Sequence, residues 1–395
     1  MVANLTRLFS DFFESEKSGG LVLIICTIVS VILANTALGA DYIDFWHQYV
    51  GFAWGGLQLN LSVEHWINDG LMAVFFLMVG LEIERELYIG ELHPLKNAVL
   101  PVAAAIGGMA VPALLYAIIN FNTPTIGGFG IPMATDIAFA IAVLSLLGSR
   151  VPASLKILLT AIAIVDDLGA ILVIAIFYGG GIQWLYFGLA AGIFLFLLLL
   201  NRLRVYHVWI YLVLGAAMWY CTLQSGIHAT IAGVLLAFAI PFGNGDEQSP
   251  SYRLQHTLHR WVAFGILPLF VLANTAIAIR MEVFGGLIAA HTLGIFIGLC
   301  VGKPTGILLA SWLVTKLKVA SLPEDLHFGH IFSVGFLAAI GFTMSIFVTI
   351  LAFDTETLVQ TSKIAILITS VLGGLTGYLL LSRFLPARKP RTSVD

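Results

Sequence analysis

The chain has 395 residues, of which 59% are hydrophobic and only 10% charged, for a formal net charge of −3. A soluble protein of this length carries about 25% charged residues, so a soluble globular enzyme is excluded, and no nucleic-acid partner is expected. The three cysteines, Cys26, Cys221 and Cys300, stand singly in apolar runs, which argues against a disulfide frame or a thiolate zinc site.

Residues 1–18 carry Leu5, Leu8, Phe9, Phe12 and Phe13 on one helical face, which predicts an interfacial N-terminal helix and not a cleavable signal. Beyond it the apolar stretches run to about 20 residues, enough to cross a hydrocarbon core of roughly 30 Å as helix. Twelve spans are expected. The first six fall near 19–38, 64–87, 98–119, 125–147, 153–178 and 184–201. The last six fall near 206–222, 226–240, 256–278, 291–314, 328–353 and 361–385. Between the first two, FWHQYVGFAWGGLQLNLS (45–62) alternates apolar and polar residues around a Gly-Gly pair, which predicts a β-hairpin, set at 45–58. An amphipathic hairpin on a membrane protein's outer face offers its edge to a second copy, so a homodimer through residues 45–58 is expected.

Lys and Arg set the orientation. With an even number of spans both termini share one side, and that side collects 16 of the 19 Lys and Arg residues. The opposite side has only Arg280 and Lys363, and Lys303 lies inside span 10. Both termini are therefore expected in the cytoplasm, with 386–395 as a short tail. The fold class is an all-α polytopic membrane protein, a single transmembrane domain over 1–395.

Four ionisable residues lie deep in spans: Asp136 in span 4, Asp166 and Asp167 in span 5, Lys303 in span 10. Each costs about 2.5–3.5 kcal/mol at the centre of a membrane helix. Together they cost on the order of 10 kcal/mol, comparable to a domain's net stability. Neighbouring residues on a helix point about 100° apart, so Asp166 and Asp167 face different surroundings. A single Asp–Lys pair that only fastens helices is the plainer reading of any one of these charges. Three carboxylates against one lysine leave two acids without a fixed countercharge, which marks a site for a cation or for protons.

The backbone adds a second signal. Span 4 reads TIGGFGIPMATDIAFA, with Gly127, Gly128, Gly130 and Pro132 breaking the helix before Thr135 and Asp136. Span 11 reads SVGFLAAIGFTMSIFV, with Gly335 and Gly341. These are the middle members of two three-span groups, 3–5 and 10–12, and paired interruptions point to a transport site at the midplane of inverted-topology repeats. The repeats make a core of 98–178 and 291–385, with 184–278 as interface helices. Unwound backbone and carboxylates suit a hard cation such as Na⁺ or Li⁺. Asp136, Asp166, Asp167 and Thr135 are the candidate oxygen ligands, and Lys303 the candidate counter-ion. Two close carboxylates in low dielectric do not both ionise cheaply, so protons and the cation compete for them.

With these motifs on the page, the chain resembles the NhaA family of bacterial Na⁺/H⁺ antiporters over almost its whole length. The resemblance rests on WINDGLMAVFFLMVGLEIERE (66–86), ATDIAFA (134–140), VDDLGAI (165–171), SGIHATIAG (225–233), GKPTGI (302–307) and GFTMSIF (341–347). It implies a secondary transporter of the bacterial inner membrane, without a resident cofactor, exchanging one Na⁺ or Li⁺ for more than one H⁺. It implies that Asp166 and Asp167 bind the cation and carry protons, that Thr135 and Asp136 sit at the helix crossing, and that Lys303 stands beside them. The family is switched on at alkaline pH, which makes Glu82, Arg85, Glu86, His256 and His259 the candidate pH sensors. Here the chain departs from the family: Gln255 stands where a glutamate is expected before His256. A sodium-coupled symporter of a small organic solute is the alternative reading, and it requires a roomier polar pocket than these spans offer. An intramembrane aspartyl protease is excluded, because neither MATD nor AIVD is a GxGD or YD context.

Overall fold

In hydrocarbon each backbone N–H and C=O must find its partner within the protein, and this chain meets the demand almost entirely with helices. The computed structural model describes residues 2–54, 57–90, 95–279 and 285–385. In chain order, α1 is Val2–Ala34 and α2 Gly39–His47, followed by strands β1 (Tyr49–Trp54) and β2 (Leu57–Ser62). Next come α3 (Val63–Tyr88), α4 (Leu95–Ile119), a 3₁₀ helix at Pro124–Met133, α5 (Ile137–Ser145) and α6 (Ala153–Phe177). Then α7 (Trp184–Arg202), α8 (Val208–Gln224), α9 (Ile231–Ala239) and α10 (Pro250–Asn274) follow. The chain closes with α11 (Ala290–Lys316), α12 (Phe328–Ala338), α13 (Phe342–Ala352) and α14 (Glu356–Phe384).

Among the described residues, seven helices are long and apolar enough to cross a membrane, and up to ten if each of three bent pairs is one span. The difference from twelve lies in expected spans 7 and 8: α8 has 17 residues and α9 only 9. Span 8 was expected from 226, but the segment before Ile231 is a turn, with Gly226 at φ 81°.

Three further differences have local causes. The N-terminal segment is not a separate helix, because α1 runs unbroken from Val2 to Ala34 with no proline to divide it. The apolar face at Leu5–Phe13 and the tail 386–395 lie outside the described side chains and residues. The hairpin occupies 49–62 and not 45–58, pairing Tyr49 with Ser62 and Trp54 with Leu57 around a tip outside the described residues. Residues 45–47 instead close α2, where Tyr42 and Trp46, four apart on one helical face, meet edge to face at 5.8 Å.

Three spans also contain a wide turn that periodicity did not predict, with Met72, Leu267 and Lys303 each donating five residues back, to Ile67, Val262 and Gly298. Two of these turns run straight into a proline, Pro268 or Pro304. Proline removes a donor and crowds the carbonyl four residues earlier, and a widened turn gives that carbonyl room. This geometry delivers Lys303 to the protein centre.

Spans 4 and 11 are broken, by bends of 44° and 51°. The 3₁₀ helix of span 4 is held by tyrosines: Tyr178 Oη accepts from the Gly130 N–H (3.0 Å) and donates to Gly127 O (2.8 Å). A Cβ on Gly130 would stand 2.5 Å from that hydroxyl, so the glycine is required for the approach. Helices α4 and α11 pack glycine to glycine, and a Cβ on Gly107 would meet the Ala310 Cβ at 2.5 Å. Most buried apolar residues form one core, including α10 through Val262, Ile266, Leu267 and Phe270. Helices α7, α8 and α9 form a second cluster with Leu77 and Leu81 of α3.

A candidate cation site where two broken helices cross

The two interruptions lie against each other. Ala134 and Asp136 are extended, so the backbone of span 4 leaves its helix for three residues. There the Asp136 N–H donates to Ile340 O in the break of span 11 (2.6 Å), and Ser345 Oγ donates to Ile131 O (2.8 Å). Each break thus satisfies backbone groups that the other leaves open.

Helix ends carry partial charges, positive at N-termini and negative at C-termini, and the crossing gathers ends of both signs. Asp136 answers the positive ones. Its Oδ1 accepts from the Phe139 N–H of α5 (3.1 Å), and its Oδ2 accepts from the Thr343 N–H (3.1 Å) and hydroxyl (2.5 Å) of α13. One carboxylate therefore caps two helices. Lys303 answers a negative end, its Nζ donating to the Met133 carbonyl where the 3₁₀ helix stops.

Lys303 also forms the central ion pair, with Nζ 3.0 Å from Asp166 Oδ2 and both side chains fully buried. The Thr135 hydroxyl lies 2.7 Å from the same Oδ2 and 3.0 Å from Ala338 O, and has one proton to donate between them. The other oxygen, Asp166 Oδ1, accepts no hydrogen bond, and neither does Asp167 Oδ1. Two buried carboxylate oxygens on adjacent residues are therefore available to a ligand. Such orphaned groups are costly in low dielectric, and the cost is relieved only by a proton or a cation.

A cleft leads to Asp167. It is lined by Glu82 of α3, Thr135, Asp136, Asp167, His259 of α10 and Thr343, and its cavity volume is about 30 Å³. That holds about two waters, or a small cation, and leaves no room for an organic solute. Among the described residues no three His, Cys, Asp or Glu side chains converge as a metal cluster. The expected oxygen set is therefore divided: Asp167, Thr135 and Asp136 line the cleft, Asp166 meets Thr135 and Lys303 behind it, and both Asp136 oxygens are taken by donors at helix termini.

Of the candidate pH sensors two line the cleft, and the others lie on the same two helices, α3 and α10. Arg85 sits 6.0 Å from the Tyr252 ring, and Tyr252 stacks on His256 at 6.2 Å. Glu82 and His259 line the cleft itself, and Glu86 is one residue beyond Arg85 on α3. His228 of SGIHATIAG is hydrogen-bonded, its Nε2 lying 2.5 Å from Tyr178 O.

Lys363 was missed. Orientation counting only placed it on the outer side, and its burial in α14 with Asn274 and Glu64 as neighbours was not foreseen. Its position just inside span 12 was the available signal, since a lysine there needs a partner.

Residues 10–381 match the Na⁺/H⁺ antiporter 1 family. The chain is 55% identical over 374 residues to the Na⁺/H⁺ antiporter NhaA of Flavobacterium psychrophilum, covering 95% of each. It is 53% identical over 385 residues to the Na⁺/H⁺ antiporter NhaA 1 of Flavobacterium johnsoniae, covering 98% of this chain and 99% of that one. Identity to the Na⁺/H⁺ antiporter NhaA of Dechloromonas aromatica is 55% over 384 residues, 96% of this chain and 97% of that one.

Proposed function

The chain belongs to this family of Na⁺/H⁺ antiporters, and from that premise we propose that it exports Na⁺ or Li⁺ in exchange for more than one H⁺ at Asp166 and Asp167. The observation that carries the assignment is the pair of buried carboxylate oxygens without partners, Asp166 Oδ1 and Asp167 Oδ1, beside a cleft. A cation entering from the cleft meets Asp167 first, then Asp166 and the Thr135 oxygen. Its charge competes with the Lys303 ammonium for Asp166 and weakens that pair. Protons arriving from the opposite side neutralise the same oxygens and release the cation. Asp136 stays on the two helix termini and keeps the crossing together while the ligands change. Because more than one proton enters per cation, net charge moves inward, and each charge gains about 2.3 kcal/mol per 100 mV.

The membrane is the bacterial inner membrane, with both termini cytoplasmic, the cleft opening to the cytoplasm and the hairpin outside. The topology is twelve spans with 98–178 and 291–385 as inverted repeats, counting the short α8 and α9 as spans. Purified protein in sealed liposomes with a proton-sensitive dye inside tests the exchange, across about pH 6–9, where histidine titrates. Added Na⁺ or Li⁺ is expected to drive protons out, K⁺ is not, and a clamped potential changes the rate. No proton flux under any of these conditions removes the proposal.

Glu82, Arg85, Glu86, His256 and His259 make the pH switch, and Gln255 tunes it. A carboxylate at position 255 would add a negative charge beside His256 on α10. Gln255→Glu is therefore expected to move the pH of half-activation upward by about half a unit, since an exposed charge pair is worth up to about 1 kcal/mol. A pH profile of exchange that stays put, or moves down, sinks this role.

The homodimer forms through the hairpin. Val63 N–H donates to Gln48 O (3.0 Å), so the ends of the hairpin already touch and residues 49–62 can be removed without stretching the chain. The shortened protein is expected to exchange ions but to have monomer mass in detergent. Unchanged mass excludes the hairpin as the contact.

A further inference from the structure

Between the cation site and the hairpin end the protein is closed in two layers. The first is aromatic: Phe347 of α13 packs against Phe76 of α3 (5.4 Å between centroids) and Phe270 of α10 (6.3 Å), all fully buried. The second is polar and lies one turn beyond Phe270. Lys363 of α14, only 7% exposed, places Nζ 3.3 Å from Asn274 Oδ1 and 3.8 Å from Glu64 Oε1. Asn274 Nδ2 donates in turn to Asn68 Oδ1 (2.8 Å), and His47 Nε2 lies 3.4 Å from Glu64 Oε2.

This cluster has no part in the ion chemistry described above, yet a buried lysine in a membrane helix calls for a function. Its geometry supplies one. Glu64, Asn68 and Asn274 belong to α3 and α10, which also carry Phe76 and Phe270. Lys363 belongs to α14, which packs on the broken span through Gly373 and Gly377, each facing α12. Phe347 lies on α13, which packs on α14, so a movement that parts Phe347 from Phe76 and Phe270 would also draw α14 from α3 and α10.

We propose that Lys363, clasped to Asn274 and Glu64, is the outer latch of the transporter, a positioning residue that holds the hairpin-side mouth shut while the cleft is open at the other end. The inference rests on the sidedness proposed for the cleft. The bonds suit a latch. Lys303 and Asp166 are sealed from solvent at 3.0 Å, whereas Glu64 is partly exposed and 3.8 Å from Lys363, so water reaches the outer pair when it parts and it is easier to break in each cycle than the central one.

The test is access from outside. Met72 lies between the two layers on α3 and is fully buried. In the full chain with Cys26, Cys221 and Cys300 replaced by alanine, Met72→Cys is exposed to a membrane-impermeant thiol reagent applied from the hairpin side. Adding Lys363→Met is expected to raise the labelling rate about tenfold, within the range of ordinary coupling between conformations. Lys363→Arg is expected to return it close to the parent rate. Glu64→Gln, which loosens the clasp at its wetter end, gives a smaller rise and serves if Lys363→Met folds poorly. In transport, a loosened latch raises the apparent KM for Na⁺ at the cytoplasmic face and lowers it at the outer face. Unchanged labelling in both variants, or faster labelling only from the opposite face, overturns the proposal, as do KM values that move together. Labelling does not depend on exchange, so the absence of Na⁺-driven flux in the parent would count against the proposed function and leave the latch result to be read separately.

Discussion

Asp167→Asn is expected to abolish cation-driven proton exchange, a loss on the order of 100-fold or more, while the purified protein keeps its thermal stability. Removing one charge from a close ionic contact costs about 2–5 kcal/mol of binding, and each 1.4 kcal/mol is about tenfold. Stability is expected to hold because Asp167 Oδ1 receives no hydrogen bond from the protein, so its charge is a burden on the fold. Asparagine keeps the shape and removes that burden. Exchange in liposomes within about twofold of the parent would show that the cation does not bind here.

Lys303→Met is expected to do the reverse and damage the fold as well as the transport. The methionine fills the lysine's volume but leaves Asp166 buried without its countercharge, and the Met133 carbonyl without its donor. Breaking a buried pair from one side destabilises by about 3–5 kcal/mol, whereas replacing both members is often neutral. Lys303→Met with Asp166→Asn is therefore expected to recover most of the stability lost by the single change, as read by thermal unfolding in detergent, and to remain inactive. Equal destabilisation in single and double variants would mean that the pair contributes only packing.

These expectations drew on the sequence to different degrees. The acids at 136, 166 and 167 and the lysine at 303 were legible because a charge in an apolar run is conspicuous whatever its neighbours do. The breaks were legible through Gly127, Gly128, Gly130, Pro132 and Gly341. The wide turns before Pro268 and Pro304 were not, because proline is also compatible with a kink or a helix start, and only the packing chooses among these. The hairpin was displaced because residues 45–47 alternate like a strand while Tyr42 and Trp46 share the face of a helix. The partners of Lys363 were missed because it stands close to a span end, where snorkelling to water and burial against a partner look alike in one dimension.

What the sequence by itself determined is therefore everything that follows from local cost: that the chain belongs in a membrane, which residues are too expensive there to be idle, and where its helices cannot continue. Desolvation of a charge and the backbone freedom of glycine act at a single position, and one dimension suffices to see them. What only the tertiary structure decided is which expensive group answers which. Asp166, and not its neighbour, meets Lys303; Asp136 is drawn onto two helix termini; Lys363 closes on residues of α3 and α10 from α14. Those pairings join residues far apart in sequence and hold only within about 3–4 Å, so they exist only once the helices have packed.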